Sequence, residues 1–153
     1  MDLRSYLDRQ GVAYSWSHHE PAYTSQDLAM KEHVSGRRVI KPVVIEADGR
    51  PFICALPASY YVDLEKIRQE LRANVARLAD ETEMSSVCGD CELGAEPPIG
   101  KLFGMPTIVD ESITRQEEVT FQAGTHEDAV TMNTDDFIRL TEPQIGHFAS
   151  IRA

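Results

Sequence analysis

Val39-Ile40-Lys41-Pro42-Val43-Val44-Ile45, then Asp48-Gly49, then Pro51-Phe52-Ile53-Cys54-Ala55-Leu56, is the stretch that decides the fold class. The first run is rich in β-branched residues, Asp-Gly supplies a tight turn, and the second run returns as an apolar strand. An antiparallel hairpin follows. Strands and helices on either side interleave without the strict rhythm of a doubly wound sheet. The chain therefore reads as α+β, a mixed and mostly antiparallel sheet surrounded by helices, with residues 1–153 forming a single domain.

Upstream, Leu3, Tyr6 and Leu7 share one face of a helix over Asp2 to Gln10, with Gly11 at its stop, and Val12 to Ser17 alternates like a strand. Thr24 and Asp27 have capping-box spacing and open a second helix from Ser25 to His33. Downstream, Asp63 caps a helix from Leu64 to Leu71, and Asp80 caps a shorter one leading to Cys88. Thr107–Val109, Val119–Phe121 and Ala129–Met132 read as strands. Thr134 or Asp135 then caps a helix carrying Phe137, Ile138 and Leu140.

The 153 residues are 42% hydrophobic and 26% charged, an ordinary globular profile, and carry a formal net charge of −10. Such a field argues against a protein that coats nucleic acid, DNA included, and leaves room only for a local contact. Arg37, Arg38 and Lys41 are the one compact basic cluster. No apolar run has the length of a membrane span and Met1-Asp2-Leu3-Arg4 is too polar for a signal peptide, so a cytoplasmic location without a membrane partner is expected. Three cysteines without a secretory signal point to reduced thiols.

Gly94-Ala95-Glu96-Pro97-Pro98-Ile99-Gly100 is dense in residues that fix backbone direction. It reads either as a tight structural connection or as a loop whose exposed N–H and C=O groups meet a ligand. Lys41 stands in the first strand of the hairpin. It either points to solvent or sits at the mouth of a cleft, donating hydrogen bonds to a phosphate or a developing oxyanion. Pro42 removes a ladder donor and suggests a strand end or edge. Cys88-Gly89-Asp90-Cys91 has C-x-x-C spacing, but no second ligand pair accompanies it, and incidental thiols are the simpler account. His18, His19, His33, His126 and His147 show no metal spacing, and neither metal nor cofactor is implied. His126 lies in the polar turn Ala123-Gly124-Thr125-His126, where it is either an exposed turn residue or part of a site.

Three pieces in order resemble one family: Val39-Ile40-Lys41 before the hairpin, Gly94-x-x-x-Pro98-x-Gly100 before Met105-Pro106-Thr107-Ile108-Val109-Asp110, and Ala123-Gly124-Thr125-His126. The family is the YbaK/ProX-type aminoacyl-tRNA deacylases, which includes the editing domain of bacterial prolyl-tRNA synthetases. The resemblance implies a cleft between the lysine strand and the glycine loop, and hydrolysis of the ester that joins a wrong amino acid to tRNA. By the same resemblance Lys41 holds the substrate's 3′ end, Gly94 and Pro98 shape the amino-acid pocket, Gly100 holds the loop, and Gly124 and His126 belong to the site. Pro42 stands where family members often place threonine or asparagine, and so removes a side-chain hydrogen bond. The implied partners are the acceptor end of a mischarged tRNA and a synthetase or elongation factor that delivers it.

An ester carries its own good leaving group, so a positioned water and a stabilised oxyanion suffice for hydrolysis without a strong base. The competing expectation is a non-catalytic module that binds aminoacyl-tRNA or a synthetase.

Overall fold

The computed structural model describes residues 2–80, 83 and 91–151. In chain order these form α1 (Leu3–Arg9), β1 (Tyr14–His18), α2 (Ser25–Lys31), β2 (Ile40–Ala47), β3 (Arg50–Pro57), β4 (Tyr61–Val62), α3 (Leu64–Glu70) and β5 (Ala76–Leu78). After the glycine loop come a 3₁₀ turn (Gly100–Phe103), β6 (Thr107–Asp110), a second 3₁₀ turn (Glu111–Arg115), β7 (Glu118–Gln122), β8 (Asp128–Asn133), α4 (Thr134–Thr141), β9 (Gln144–Gly146) and β10 (Ala149–Ser150).

The hairpin of β2 and β3 is the centre of a five-stranded sheet ordered β5-β2-β3-β6-β9. Asp48 and Gly49 take φ of 51° and 81°, the two positive values that let a two-residue turn follow the strand twist. The Asp48 carboxylate also accepts the backbone N–H groups of Asn74 and Val75, which tethers the turn to the start of β5. β6 joins β3 in parallel and β9 joins β6 in parallel, so the sheet is mixed. A three-stranded antiparallel sheet, β1-β8-β7, stands beside it, linked through a parallel bridge between Val39 and Thr120. The fold is α+β, as expected.

Alternation along β2 and β3 sends side chains to two cores. Ile40 and Ala55 join Leu7, Ile99, Val109, Phe121, Val130 and Phe137 in one. Ile45, Cys54 and Leu56 face Ile67, Ile108 and Phe148 in the other. The glycine loop is anchored to the first core by Ile99, which is fully buried. Burying such a side chain contributes about 1.5–3 kcal/mol, enough to hold an otherwise irregular segment in place.

Asp63 and Thr24 cap their helices as their spacing predicts, and Asp2, expected inside the first helix, caps it instead. α2 stops at Lys31, short of His33, which has turned to φ 57°. The last helix is capped by Asn133, one residue before the expected Thr134 or Asp135, its side-chain oxygen accepting from Asp135 N–H at 2.9 Å. Asp80 and Glu83 exchange capping bonds; the rest of the expected helix toward Cys88, like Cys88-Gly89-Asp90, lies outside the described residues. Cys91 is disulfide-bonded, which corrects the expectation of reduced thiols. Cys54 is a buried free thiol, its pKa pushed up by burial.

Candidate functional site

The glycine loop and the turn after β7 are laced together by backbone. Glu92 N–H donates to Gly124 O at 2.8 Å, Gly124 N–H donates to Ala95 O at 2.9 Å, and Ala95 N–H returns to Glu92 O at 3.0 Å. Gly94 and Gly124 have φ of 89° and 94°, a region that L side chains enter only with strain. A Cβ on Gly94 would stand 3.7 Å from His126 Cε1, ordinary contact, so conformation and not space demands glycine there. Gly100 is different. Its Cβ would meet Met105 O at 2.3 Å and Thr107 Oγ1 at 2.7 Å, and its N–H already donates to Thr107 Oγ1 at 2.8 Å. That glycine seats the loop against β6. Pro98, next to Ile99, is buried and serves the same anchorage.

His126 is held on three sides. Its backbone N–H donates to Glu92 Oε1 at 2.9 Å, ring Nδ1 lies 3.2 Å from Ala22 O, and ring Nε2 lies 3.0 Å from Leu93 O. Ala22 O also receives the Gln122 side-chain amide at 2.6 Å. A carbonyl oxygen only accepts, so a neutral ring satisfies one of the two carbonyls and a doubly protonated ring satisfies both. Neither nitrogen turns a lone pair toward open space. His126 is thus a clip joining the turn before α2, the glycine loop and its own turn, with both ring nitrogens facing backbone carbonyls. Tyr23, 69% exposed, packs its ring against the imidazole at a tilt of 47°, with centroids 5.0 Å apart.

Glu96 is 3% exposed and turns back on its own loop, Oε1 accepting from Gly94 N–H at 3.1 Å. Its Oε2 has no hydrogen-bond partner among the described residues. A buried carboxylate oxygen without a donor is costly.

Lys41 sits half-buried on β2. Strand alternation puts it with Val43 and Ile45 on the face of the second core, while Pro42 shares the face of Ile40 and Val44. Pro42 is therefore on the sheet face whose core holds Ile99, and Lys41 is at the rim behind it. Partial burial holds the Lys41 ammonium below the ordinary lysine range, and Nζ lies 5.1 Å from the centroid of the Tyr61 ring. Pro42 lies on a part of β2 that β5 does not reach, since β5 pairs only with Ile45 to Ala47; the missing N–H interrupts no ladder on that side.

Among the residues singled out from sequence, the structure brings Gly94, Gly124 and His126 together and makes Gly100 and Pro98 anchors of the same loop. Glu92 was missed, because its bond to His126 spans 34 residues and leaves no local pattern. Tyr61 was missed for the same reason, being joined to Lys41 only through the folded hairpin.

A model of the aminoacyl-tRNA editing domain matches residues 19–140. A proline–tRNA ligase of Leuconostoc citreum (strain KM20) is 26% identical over 132 residues, 84% of this chain and 23% of the ligase. The multifunctional Ser/Thr-tRNA deacylase ProXp-y of Escherichia coli (strain K12) is 28% identical over 101 residues, 63% of this chain and 58% of the deacylase. The chain thus spans less than two thirds of either relative. Among solved structures, that of a hypothetical protein superposes with a TM-score of 0.88 at 15% identity, covering 97% of this chain and 99% of that one. A protein proposed as a trans-editing enzyme for prolyl tRNA synthetase superposes with a TM-score of 0.81 at 19% identity, covering 95% and 93%. At these identities the likeness establishes the fold.

Proposed function

Because the chain belongs to the aminoacyl-tRNA editing domain family, we propose that it is a trans-acting deacylase that hydrolyses the ester of mischarged tRNA. Water adds to the ester carbonyl, the bond to the ribose oxygen breaks, and the products are a free amino acid and tRNA with its 3′-terminal hydroxyl restored.

The observation that carries the assignment is the glycine loop clipped to His126. It is a backbone wall held by hydrogen bonds from both sides, with Gly94 at its bend. Such a wall supports hydrolysis by orienting the amino-acid moiety and the water and by presenting fixed dipoles to the oxyanion, without a nucleophilic side chain. Lys41 anchors the 3′ end from the rim, as a cation whose partial desolvation strengthens a charge-assisted bond to phosphate or ester oxygen. His126 acts as a positioning residue for the loop. Pro42 gives the pocket an apolar floor where threonine or asparagine would offer a hydrogen bond, which favours small substrates distinguished by size.

Deacylation of a panel of mischarged tRNAs by catalytic amounts of the protein tests the assignment, with seryl and threonyl esters included because the deacylase relative carries those names. Turnover on at least one member is expected. Tight binding of aminoacyl-tRNA with no released amino acid would make the chain a non-catalytic module instead.

A further inference from the structure

A hollow of about 310 Å³ lies where α1 and β1 meet the turn after β7, with Asp2, Arg4, Trp16, Gly124 and Thr125 in its wall. Gly124 ties this hollow to the glycine loop. Its N–H donates to Ala95 O and its carbonyl accepts from Glu92 N–H, so one residue both holds the loop and lines the hollow. Thr125, the next lining residue, immediately precedes His126.

The wall is built around Trp16. Its Nε1–H donates to Asp128 Oδ1 at 3.1 Å, and Thr125 Oγ1 donates to the other oxygen of the same carboxylate at 2.6 Å, which fixes the indole relative to the turn. The Arg4 guanidinium carbon stands over that indole, 4.1 Å from the ring centroid. Arg4 is exposed and has no hydrogen bond or ion pair among the described residues. Asp2 is occupied, its carboxylate accepting from Ser5 N–H at 3.2 Å and Ser5 Oγ at 2.7 Å. One cation and one carboxylate balance each other, and an indole, a hydroxyl and the apolar Leu3 and Ala123 complete the wall. Such a wall suits a flat, uncharged ligand better than a free anion.

We propose that this hollow holds a base of the substrate's unpaired 3′ end, stacked on the Arg4–Trp16 pair. The inference rests on the deacylase assignment for the identity of the nucleic acid, and on the Arg4–Trp16 pair and its shared border with the glycine loop for the place. Unpaired bases stack on aromatic rings and on guanidinium planes alike, because every base has a π-face. Capture of this kind needs no row of cations along the phosphates, which agrees with a chain of net charge −10.

Trp16 is the single tryptophan of the chain, so its emission reports on this hollow directly. The test is titration of the protein with an unacylated RNA hairpin carrying an unpaired 3′ tail, and with the same hairpin whose tail lacks bases. Saturable quenching of Trp16 by the first and not by the second is expected, with the Kd that anisotropy of a labelled hairpin gives. Loss of one stacked base predicts a Kd raised about fivefold or more in Arg4→Ala. Arg4→Lys, which keeps the charge and loses the plane, should bind as weakly as the alanine variant. Unchanged Trp16 emission at saturation, equal quenching by the tail without bases, wild-type affinity in Arg4→Ala or Arg4→Lys, or no binding of the hairpin would overturn the proposal. Separate failure of the deacylase assignment would show as Arg4-dependent, base-dependent quenching without hydrolysis of any ester in the panel.

Discussion

Replacing Gly100 by alanine separates the role of that glycine from the role of Gly94. The added methyl would sit 2.3 Å from Met105 O and 3.0 Å from Pro106 C, about an ångström inside ordinary contact, and the obstacles are backbone. Relief requires the loop to lift from β6, which stretches the Gly100 N–H bond to Thr107 Oγ1 and the Met105 N–H bond to Gly100 O, 2.8 and 3.1 Å in the native arrangement. Overpacking of this kind costs about 1–3 kcal/mol and a weakened buried hydrogen bond about 0.5–1.5 kcal/mol. The sum, roughly 2–4 kcal/mol, corresponds to a fall in Tm of about 5–15 °C for a chain of this size. Gly94→Ala meets nothing closer than 3.7 Å and bears only the cost of its positive φ, about 1–2 kcal/mol, so its Tm falls by about 2–8 °C. Differential scanning calorimetry of both variants reads the difference. If Gly100→Ala melts within about 2 °C of wild type, well short of that fall, the loop is not seated against β6 as described.

His126→Ala removes the bond that the ring donates to Leu93 O or to Ala22 O, the latter also served by Gln122, and should cost about 1–3 kcal/mol. If the imidazole positions the loop, the variant lowers deacylation without changing the shape of its pH profile; loss of an acid limb present in the wild type would instead mark a base. Asp110 is held below the ordinary aspartate range: burial alone would raise it, but bonds from Ser112, Phe148 and Ala149 outweigh that. Its contribution is therefore present above the unfolded carboxyl pKa, about 3.9, and lost as pH falls through the lower folded value. Urea unfolding of Asp110→Asn across the acid range should show a shallower fall in stability than wild type, and an unchanged acid limb would count against the linkage. Glu96→Ala removes an acceptor for Gly94 N–H and should lower deacylation more than Glu96→Gln, which keeps that acceptor; equal activity in the two would remove Glu96 from the support of the loop.

Much of this architecture is legible locally. Asp48-Gly49 announces the hairpin because a two-residue turn has few solutions, and Asp63 and Thr24 announce their helices because caps act within three residues. Elements of two or three residues, β4, β5, β9 and β10, are too short for alternation to register and depend on partners far along the chain. The site divides in the same way. Gly94, Pro98 and Gly100 are visible as a backbone-shaping cluster, yet the difference between Gly94, which bends, and Gly100, which packs, appears only once Met105 and Thr107 are beside the latter. The placement of Lys41 and Pro42 on opposite faces follows from the period of a strand, but which face carries the glycine loop comes from the burial of Ile99 with Ile40.

The central claim is that Lys41 holds the 3′ end for ester hydrolysis by a backbone-walled pocket. Single-turnover deacylation of the best substrate in the panel, compared between wild type and Lys41→Ala, tests it most directly. Loss of a charge-assisted hydrogen bond worth about 1.5–3 kcal/mol predicts a rate lower by roughly tenfold to a hundredfold, with Tm little changed because the side chain is at the rim. A Lys41→Ala variant that releases the amino acid at the wild-type rate would contradict it.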